Sequence, residues 1–519
     1  MKEIVDSRRN NLVAIFNDEN CRYSTNPPYH PNKLYPEYPF DEKFIDKSFE
    51  GCDAYEAVRN LFYLLGYDKE NFGTKDWNPL GHLIKPGYSV VLKPNFVLHF
   101  NEGGYDIYAS LTHPSIIRAV ADYCLIALKG EGNLVIAEAP QMNCELDKIE
   151  EIMKLSSVFN FYKENSKIDF KLIDIRKLTC KFDYDKGYFP SDSFVVNENA
   201  DPMGYEIINL GEESYLHNLP GLENLYGADY DRKFTVMNHS NGVHKYCVSK
   251  TILSADTVIC LPKLKTHKKV GVTLNIKLLV GINGDKNYLA HYRIGTPDQN
   301  GDEFPPSEKA DIKLYRKFTR FFSDHFFAKR SRFGDKLFLI IKSIAQPTLN
   351  FLRSKKIIAP PEAKDRIYGG NWYGNDTAWR MALDLARIFV YADSNGQMKN
   401  EPQRNILSIV DGIIAGEGDG PMSPEPRNIG TLIGGENILA VDTAASTFMG
   451  FDYKKIKMIK FGWEEKKYPL VFFNPECTKV FSNDKSIDGK DVTSCVKYKF
   501  KPHPNWKGHI ELENFDDNL

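Results

Sequence analysis

The sequence is poor in the patterns that mark redox and metal proteins. Its nine cysteines, at positions 21, 52, 124, 144, 180, 247, 260, 477 and 495, include no C-x-x-C pair, which excludes a ferredoxin-type ligand run and a zinc ribbon. Their odd number and scatter fit free thiols in a reducing compartment, packed as small apolar side chains. Histidines at 99, 113, 244, 267 and 291 show neither H-x-x-x-H nor H-E-x-x-H spacing, so no metal is expected. The first strand–helix turn lacks G-x-G-x-x-G, no Gly-Lys-Ser/Thr follows the glycine-rich run 411–421, and no G-x-S-x-G elbow occurs. Dinucleotide, P-loop and α/β-hydrolase chemistry therefore have no support. No run of about 18 apolar residues offers a membrane span, and the opening MKEIVDSRRNNLVAIF lacks the apolar core of a signal peptide. The expected location is cytoplasmic, with attachment to a membrane periphery as the alternative. Charge is balanced, 67 basic against 69 acidic residues, so no nucleic-acid partner is expected.

What is present is an ordinary globular composition, 42% hydrophobic and 26% charged over 519 residues, with α/β punctuation. An apolar run at 12–16 predicts a strand, followed by an irregular arm rich in Tyr, Pro and Asn. Ala57, Val58, Leu61, Phe62 and Leu65 share a helical face that Gly66 stops. Strand 88–93, helix 114–129 opening on Pro114, and strand 133–138 make a βαβ unit, hence parallel strands. A helix at 247–255, strand 256–262, helix 376–391, strands at 406–411 and 431–434 and helix 438–449 continue the alternation. Asn375 or Asp376 is expected to cap the helix that starts near Thr377, and that helix N-terminus is a candidate anion site. The predicted fold is α/β: a mostly parallel sheet with flanking helices, a helical insertion and a β-rich C-terminal tail. The divisions are an arm at 1–53, core at 54–300, insertion at 301–365, further core at 366–468 and tail at 469–519.

The strands end in polar residues: Lys93 and Asn95, Glu138, then Lys263 with Lys265 and His267, then Asp411. Ligands of open parallel sheets bind beyond the carboxyl ends of the strands, so these residues are expected to converge on one cleft. The run LPKLKTHKKVGVTLNIKLLVGING (261–284) concentrates cations suited to a phosphate or carboxylate. Lys93, Asn95, Lys263, Asn275 and Lys277 are its candidate ligands. His267, Lys265, Glu138 and Asp411 are the candidate acid–base groups. The acidic, glycine-rich run DGIIAGEGDGP (411–421) fits a mobile or tightly turned loop over the substrate, with Gly418 and Gly420 against the ligand, in preference to a Mg²⁺ or Ca²⁺ site.

These same runs, with AYEAVRNLFYLLGYD, WNPLGHLIKPGYSVVLKPNFV, HYRIG and GGNWYGNDTAWRMALDLARIFVYAD, resemble the domain of unknown function 362 family over about residues 54–452. The resemblance implies an α/β domain, found in some members beside iron–sulfur modules whose cysteines this chain lacks. It departs from the family pattern at Leu278, where an Asn commonly follows the lysine. It brings neither a reaction, a cofactor nor assigned catalytic residues. The residues themselves point to an enzyme acting on a small anionic substrate. The alternatives are a non-catalytic binding or scaffold module at a membrane where surface glycans are assembled, and a redox module served by an external partner.

One segment stands apart. Residues 309–356 carry 13 Lys or Arg against three Asp, a balance of 13 − 3 = +10, interleaved with Phe318, Phe321, Phe322 and Phe326 at helical spacing. Two helices with an apolar and basic face are predicted, suited to an anionic membrane surface or a partner protein.

Overall fold

Strands that read as unbroken apolar runs need cover on both faces, and the computed structural model shows how they obtain it. It describes residues 4–513 apart from 184, 187, 228–230, 328–330, 356–366, 368 and 465. The main sheet is built, in chain order, from β1 (Leu12–Asn17), β2 (Ser89–Pro94), β3 (Asn133–Glu138), β4 (Phe170–Asp174), β5 (Thr257–Leu261), β6 (Lys263–His267), β7 (Gly271–Val272), β8 (Asn405–Asp419), β9 (Ser423–Gly435) and β10 (Lys479–Ser482). Across the sheet the order is β10-β1-β9-β8-β5-β2-β3-β4, with β6 on β8 and β7 on β6. β9 runs antiparallel to its neighbours β1 and β8, and the strands from β8 to β4 are parallel. The arm and the tail each contribute an edge-side strand, β1 and β10, to this one sheet.

Helices α1 (Ala54–Leu64), α2 (Pro114–Leu128) and α3 (Leu155–Asn165) cover one face. The chain then forms α4 (Leu274–Leu278), the insertion helices α5 (Ala310–Phe322) and α6 (Arg332–Ser354), and α7 (Ala378–Tyr391) and α8 (Ile438–Phe448). α4, α7 and α8 cover the other face. From β2 the chain moves outward through β3 and β4, then returns to β5 on the opposite side of β2. That reversal opens a crevice at the carboxyl ends of β2 and β5, the place where open parallel sheets bind ligands.

Two local expectations need correction. The run 411–421 is no covering loop: β8 continues through it to Asp419 and pairs with β9 as a hairpin, Gly416 opposite Pro426. Its glycines mark close backbone approach rather than mobility. A Cβ at Gly420 would stand 2.1 Å from the Thr266 carbonyl oxygen, and one at Gly416 2.5 Å from that of Ala109. The stretch 247–255 is helical only in part: its first three residues end a strand, Lys245–Ser249, which pairs with Tyr205–Asn209, and the helix is the short turn Lys250–Leu253. The β-branched and aromatic residues of KYCVS favour that state over a helix. The insertion forms the two helices the spacing predicts, although residues 328–330 and 356–365 of it lie outside the described residues.

α7 begins one residue after Thr377, and Asn375 Oδ1 accepts from Thr377 N at 3.0 Å and Ala378 N at 2.9 Å. Asp302 takes the Asp376 N–H at 2.8 Å, so a carboxylate already occupies the end that was a candidate anion site. Replacing Asn375 with Ala removes the one acceptor of two N–H groups and should lower stability by about 1–2 kcal/mol in urea unfolding. An unchanged midpoint would contradict the capping role.

Candidate anion site at the carboxyl edge of the sheet

Register places the expected residues on one edge. Lys93 lies opposite Cys260, Cys260 opposite Ser408, and three residues further Lys263 lies opposite Asp411. Within that edge they divide into two groups with different chemistry.

The first group is closed. Lys263 and Asp411, both fully buried, form an ion pair at 2.9 Å. Tyr23 from the N-terminal arm donates to Asp411 Oδ1 at 2.6 Å and accepts from Lys263 Nζ at 2.8 Å. The His113 N–H donates to Asp411 Oδ2 at 3.0 Å, and the His113 ring stacks on Tyr23 at 3.9 Å between centroids. Burial outweighs Asp411 and draws the Lys263 ammonium below its ordinary range. Every strong donor and acceptor here is engaged within the protein, so the group pins the arm to β6 and β8. Asn275 is likewise engaged: its Nδ2 donates to Asp442 at 2.7 Å and its Oδ1 accepts from Ser408 at 2.7 Å. The Gly418 and Gly420 carbonyls accept from Thr266 Oγ1 and Lys268 N, both at 2.9 Å.

The second group is open. Lys93 Nζ donates to Glu138 Oε2 at 2.5 Å, both side chains being buried. Gly281 rests on this pair, where a Cβ would come within 2.3 Å of Glu138 Oε1 and 2.7 Å of Lys93 Nζ. Burial raises Glu138 above the usual carboxylate range despite Lys93. Lys286 Nζ donates to the Ala139 carbonyl at 2.7 Å, and burial pushes it down to about 7. Lys265 Nζ donates to the Ser110 carbonyl at 2.7 Å; burial, with Lys263 and Lys277 close by, drops it well below the lysine range. Asn95 Nδ2 also donates to the Ser110 carbonyl, at 2.7 Å, while the buried Ser110 hydroxyl has no hydrogen-bond partner among the described residues.

Lys277 completes the group. Burial, then Lys93, pushes its ammonium down to about 8. No carboxylate or carbonyl of the described residues accepts a bond from its Nζ. Two histidines flank it. His267 Nδ1 accepts the Lys269 N–H at 3.0 Å, so the proton of the neutral ring sits on Nε2. His291 is the reverse: its Nδ1 lies 3.1 Å from the Leu289 carbonyl and donates to it, leaving Nε2 as an acceptor. Burial and the surrounding lysines hold both rings well below the usual histidine range, hence neutral at pH 7.

Lys286, His291, Gly281 and Tyr23 were not singled out as site residues from sequence. Lys286 and His291 fall in GDKNYLAHYRIG, directly after the basic run, where the same cationic pattern could have pointed to them. Tyr23 lies in an irregular arm with no local pattern. Among the described residues no three His, Cys, Asp or Glu are grouped to hold a metal ion, and no helix is long and apolar enough to cross a membrane. A cavity of about 360 Å³ that includes His99, Asn143, Glu145 and Lys181 in its lining opens beyond β3 and shares no lining residue with the lysine group.

Residues 194–447 match the family model described as domain of unknown function (DUF362). That stretch, just under half of the chain, is a domain of this family. The match contains Lys263, Lys265, His267, Lys277, Lys286 and His291, whereas Lys93, Asn95 and Glu138 precede it, although β2 and β3 belong to the same sheet. No curated protein and no solved structure is similar enough to match. Leu278, at the position where the family pattern commonly has Asn, is buried in the apolar core beneath α7.

Two measurements check this division. Asp411→Asn leaves the Lys263 ammonium buried without its counter-ion and should cost about 3–5 kcal/mol in urea unfolding, while Lys263→Met with Asp411→Leu should recover most of it. Lys277 behaves oppositely. Its folded value near 8 against 10.5 means the unfolded chain binds more protons between those pH values, so its penalty is full below pH 8 and gone above 10.5. Lys277→Met should therefore raise the melting temperature at pH 7 and change it little at pH 10.5; a lower melting temperature at pH 7 would contradict the placement.

Proposed function

We propose that this chain is an enzyme that binds a small phosphate- or carboxylate-bearing substrate at the open lysine group and carries out proton-transfer chemistry on it. One observation carries the reading: Lys277, partly exposed at this edge, is a cation disfavoured by burial and by Lys93 and close to Lys265 and Lys286, while Glu138 is paired to Lys93 and acts on Lys265 and Lys286. Such an arrangement is unfavourable without a further anion, and gains most when one enters. Ammonium donors and the His267 Nε2–H give charge-assisted and directed bonds to the oxygens of either group. The unpartnered Ser110 hydroxyl and Asn95 add neutral polar contacts at the rim.

The two ring tautomers supply complementary chemistry. His267 carries a proton on Nε2 and His291 a lone pair there, and both rings feel the charge of Lys277, so the pair suits donating to one substrate atom while accepting from another. An anion beside them offsets the lysine field and lifts both rings toward the working range. Lys265 and Lys277, with depressed values, add amines able to act as bases or nucleophiles. Lys263 and Asp411 are assigned to holding the arm, and Glu138 to neutralising Lys93.

A thermal-shift screen of phosphorylated and carboxylated metabolites tests the reading, since a specific ligand at a hundredfold excess over Kd adds about 2.7 kcal/mol. For any hit, calorimetry at pH 8 in two buffers of different ionisation heat should show net proton uptake, because the anion raises lysines that titrate near 7 and 8. Affinity should fall as pH rises through 8, and Lys277→Met should weaken binding at least about tenfold, about 1.4 kcal/mol. Binding without proton uptake and indifferent to Lys277→Met would refute the assignment.

A further inference from the structure

The insertion helices dock the wrong way round for an ordinary surface helix. A globular helix turns its apolar stripe inward. Here α5 is held to the core through charge: Arg316 and Arg320 reach Glu303 at 3.5 and 3.1 Å, and Arg316 Nη2 donates to the Tyr292 hydroxyl at 3.2 Å. α6 is held by Asp335, which accepts from the Ser191 N–H and hydroxyl at 2.9 and 2.6 Å. Only part of the apolar content turns inward, with Ile312 and Phe322 buried.

A separate set faces water in register. On α6, Phe333, Ile340, Ile344 and Phe351 are 70, 55, 71 and 58% exposed. At about 100° per residue they fall within a few tens of degrees of one line, and the stripe runs about 27 Å along the axis. On α5, Leu314, Phe318 and Phe321 are 69, 42 and 51% exposed and again share a face. Contiguous apolar surface of this kind marks a binding surface. The charge around it is mainly basic, with exposed Asp192 4.0 Å from Arg332 on the acidic side. Lys317, Arg332, Lys336 and Lys355 are exposed, whereas the segment's described carboxylates Asp324 and Asp335 are not.

We propose that α5 and α6 form a helical hairpin that seats this protein on an anionic lipid surface, its phenylalanines and isoleucines entering the acyl boundary and its lysines and arginines meeting the headgroups. The charge chooses the occupant: a segment with 13 basic and three acidic residues attracts a sheet of anionic headgroups and repels a second copy of itself. Length agrees, because this stripe lies along an interface and no described helix crosses one. Each basic side chain near such a surface multiplies affinity about fivefold, and the effect fades with salt. The inference stands apart from the anion site, whose residues it does not use.

The test is flotation of the full chain with vesicles of phosphatidylcholine containing about one part in three phosphatidylglycerol, at low salt, beside pure phosphatidylcholine vesicles. The protein should float with the anionic vesicles, release as salt rises, and bind the neutral ones at least about tenfold less. Ile340→Asn with Ile344→Asn, and separately Lys317→Glu with Lys336→Glu, should each reduce flotation at least about tenfold. Because these side chains face solvent, both variants should melt with the parent and keep any metabolite binding found for the Lys277 site. Retention in the soluble fraction with anionic vesicles at low salt overturns the proposal. So does vesicle-free dimerisation that the isoleucine substitutions abolish, which would make a second copy the occupant.

Discussion

Burying an ammonium costs several kcal/mol unless an opposite charge and hydrogen bonds meet it, and this fold drives five lysines into the carboxyl edge of one sheet. Lys263 is met in full by Asp411 and Tyr23. Lys93 is met by Glu138, under a glycine where a side chain would collide with the pair. Lys265 and Lys286 are met by carbonyls alone, and Lys277 by nothing among the described residues. The chain thus gives two of the five a carboxylate partner and leaves three without one, and burial lowers the proton affinity of those three and of Lys263 alike. An outside anion at this edge, as proposed, would meet the three lysines that lack a carboxylate partner.

The sheet explains why these residues meet. β2 and β5 are neighbours although more than 160 residues apart in sequence, and the chain reverses its direction of travel between them. Each delivers a lysine-bearing end to the crevice, while α4 turns Lys277 back over it. Parallel strands, apolar runs and helix periods were all legible from residue order, because burial on two faces writes itself as short unbroken hydrophobic stretches. The convergence of Lys93, Glu138 and the 263–277 run was legible for the same reason, since strand ends can be counted.

What residue order did not show was how each polar group is used. Asp411 and Asn275 have the composition of site residues, yet both are consumed by partners from distant segments, Tyr23 and Asp442. The glycines of 411–421 read as loop because glycine serves both turns and close approach, and only the position of Thr266 and Ala109 beside β8 distinguishes the two. His291 was passed over because a ring's tautomer depends on a carbonyl two residues away. The insertion was legible as two amphipathic helices, but not which side faces the core. Arg316 and Arg320 decide that through Glu303, and Tyr292 connects the same arginine to Lys269, whose ammonium lies 5.1 Å from that ring. Helix α5 and the segment that follows His291 are therefore in contact through Tyr292.

The account stands or falls on the state of Lys277. Competitive acylation of surface and site lysines across a pH series, read residue by residue by mass spectrometry, yields its pKa directly. The expected result is titration near 8 in the protein alone, moving up toward the ordinary lysine value when a bound phosphate or carboxylate ligand is present. Titration at about 10.4 without ligand, or a depressed value that no bound anion moves, would contradict the claim that this edge of the sheet is built to receive a negative charge.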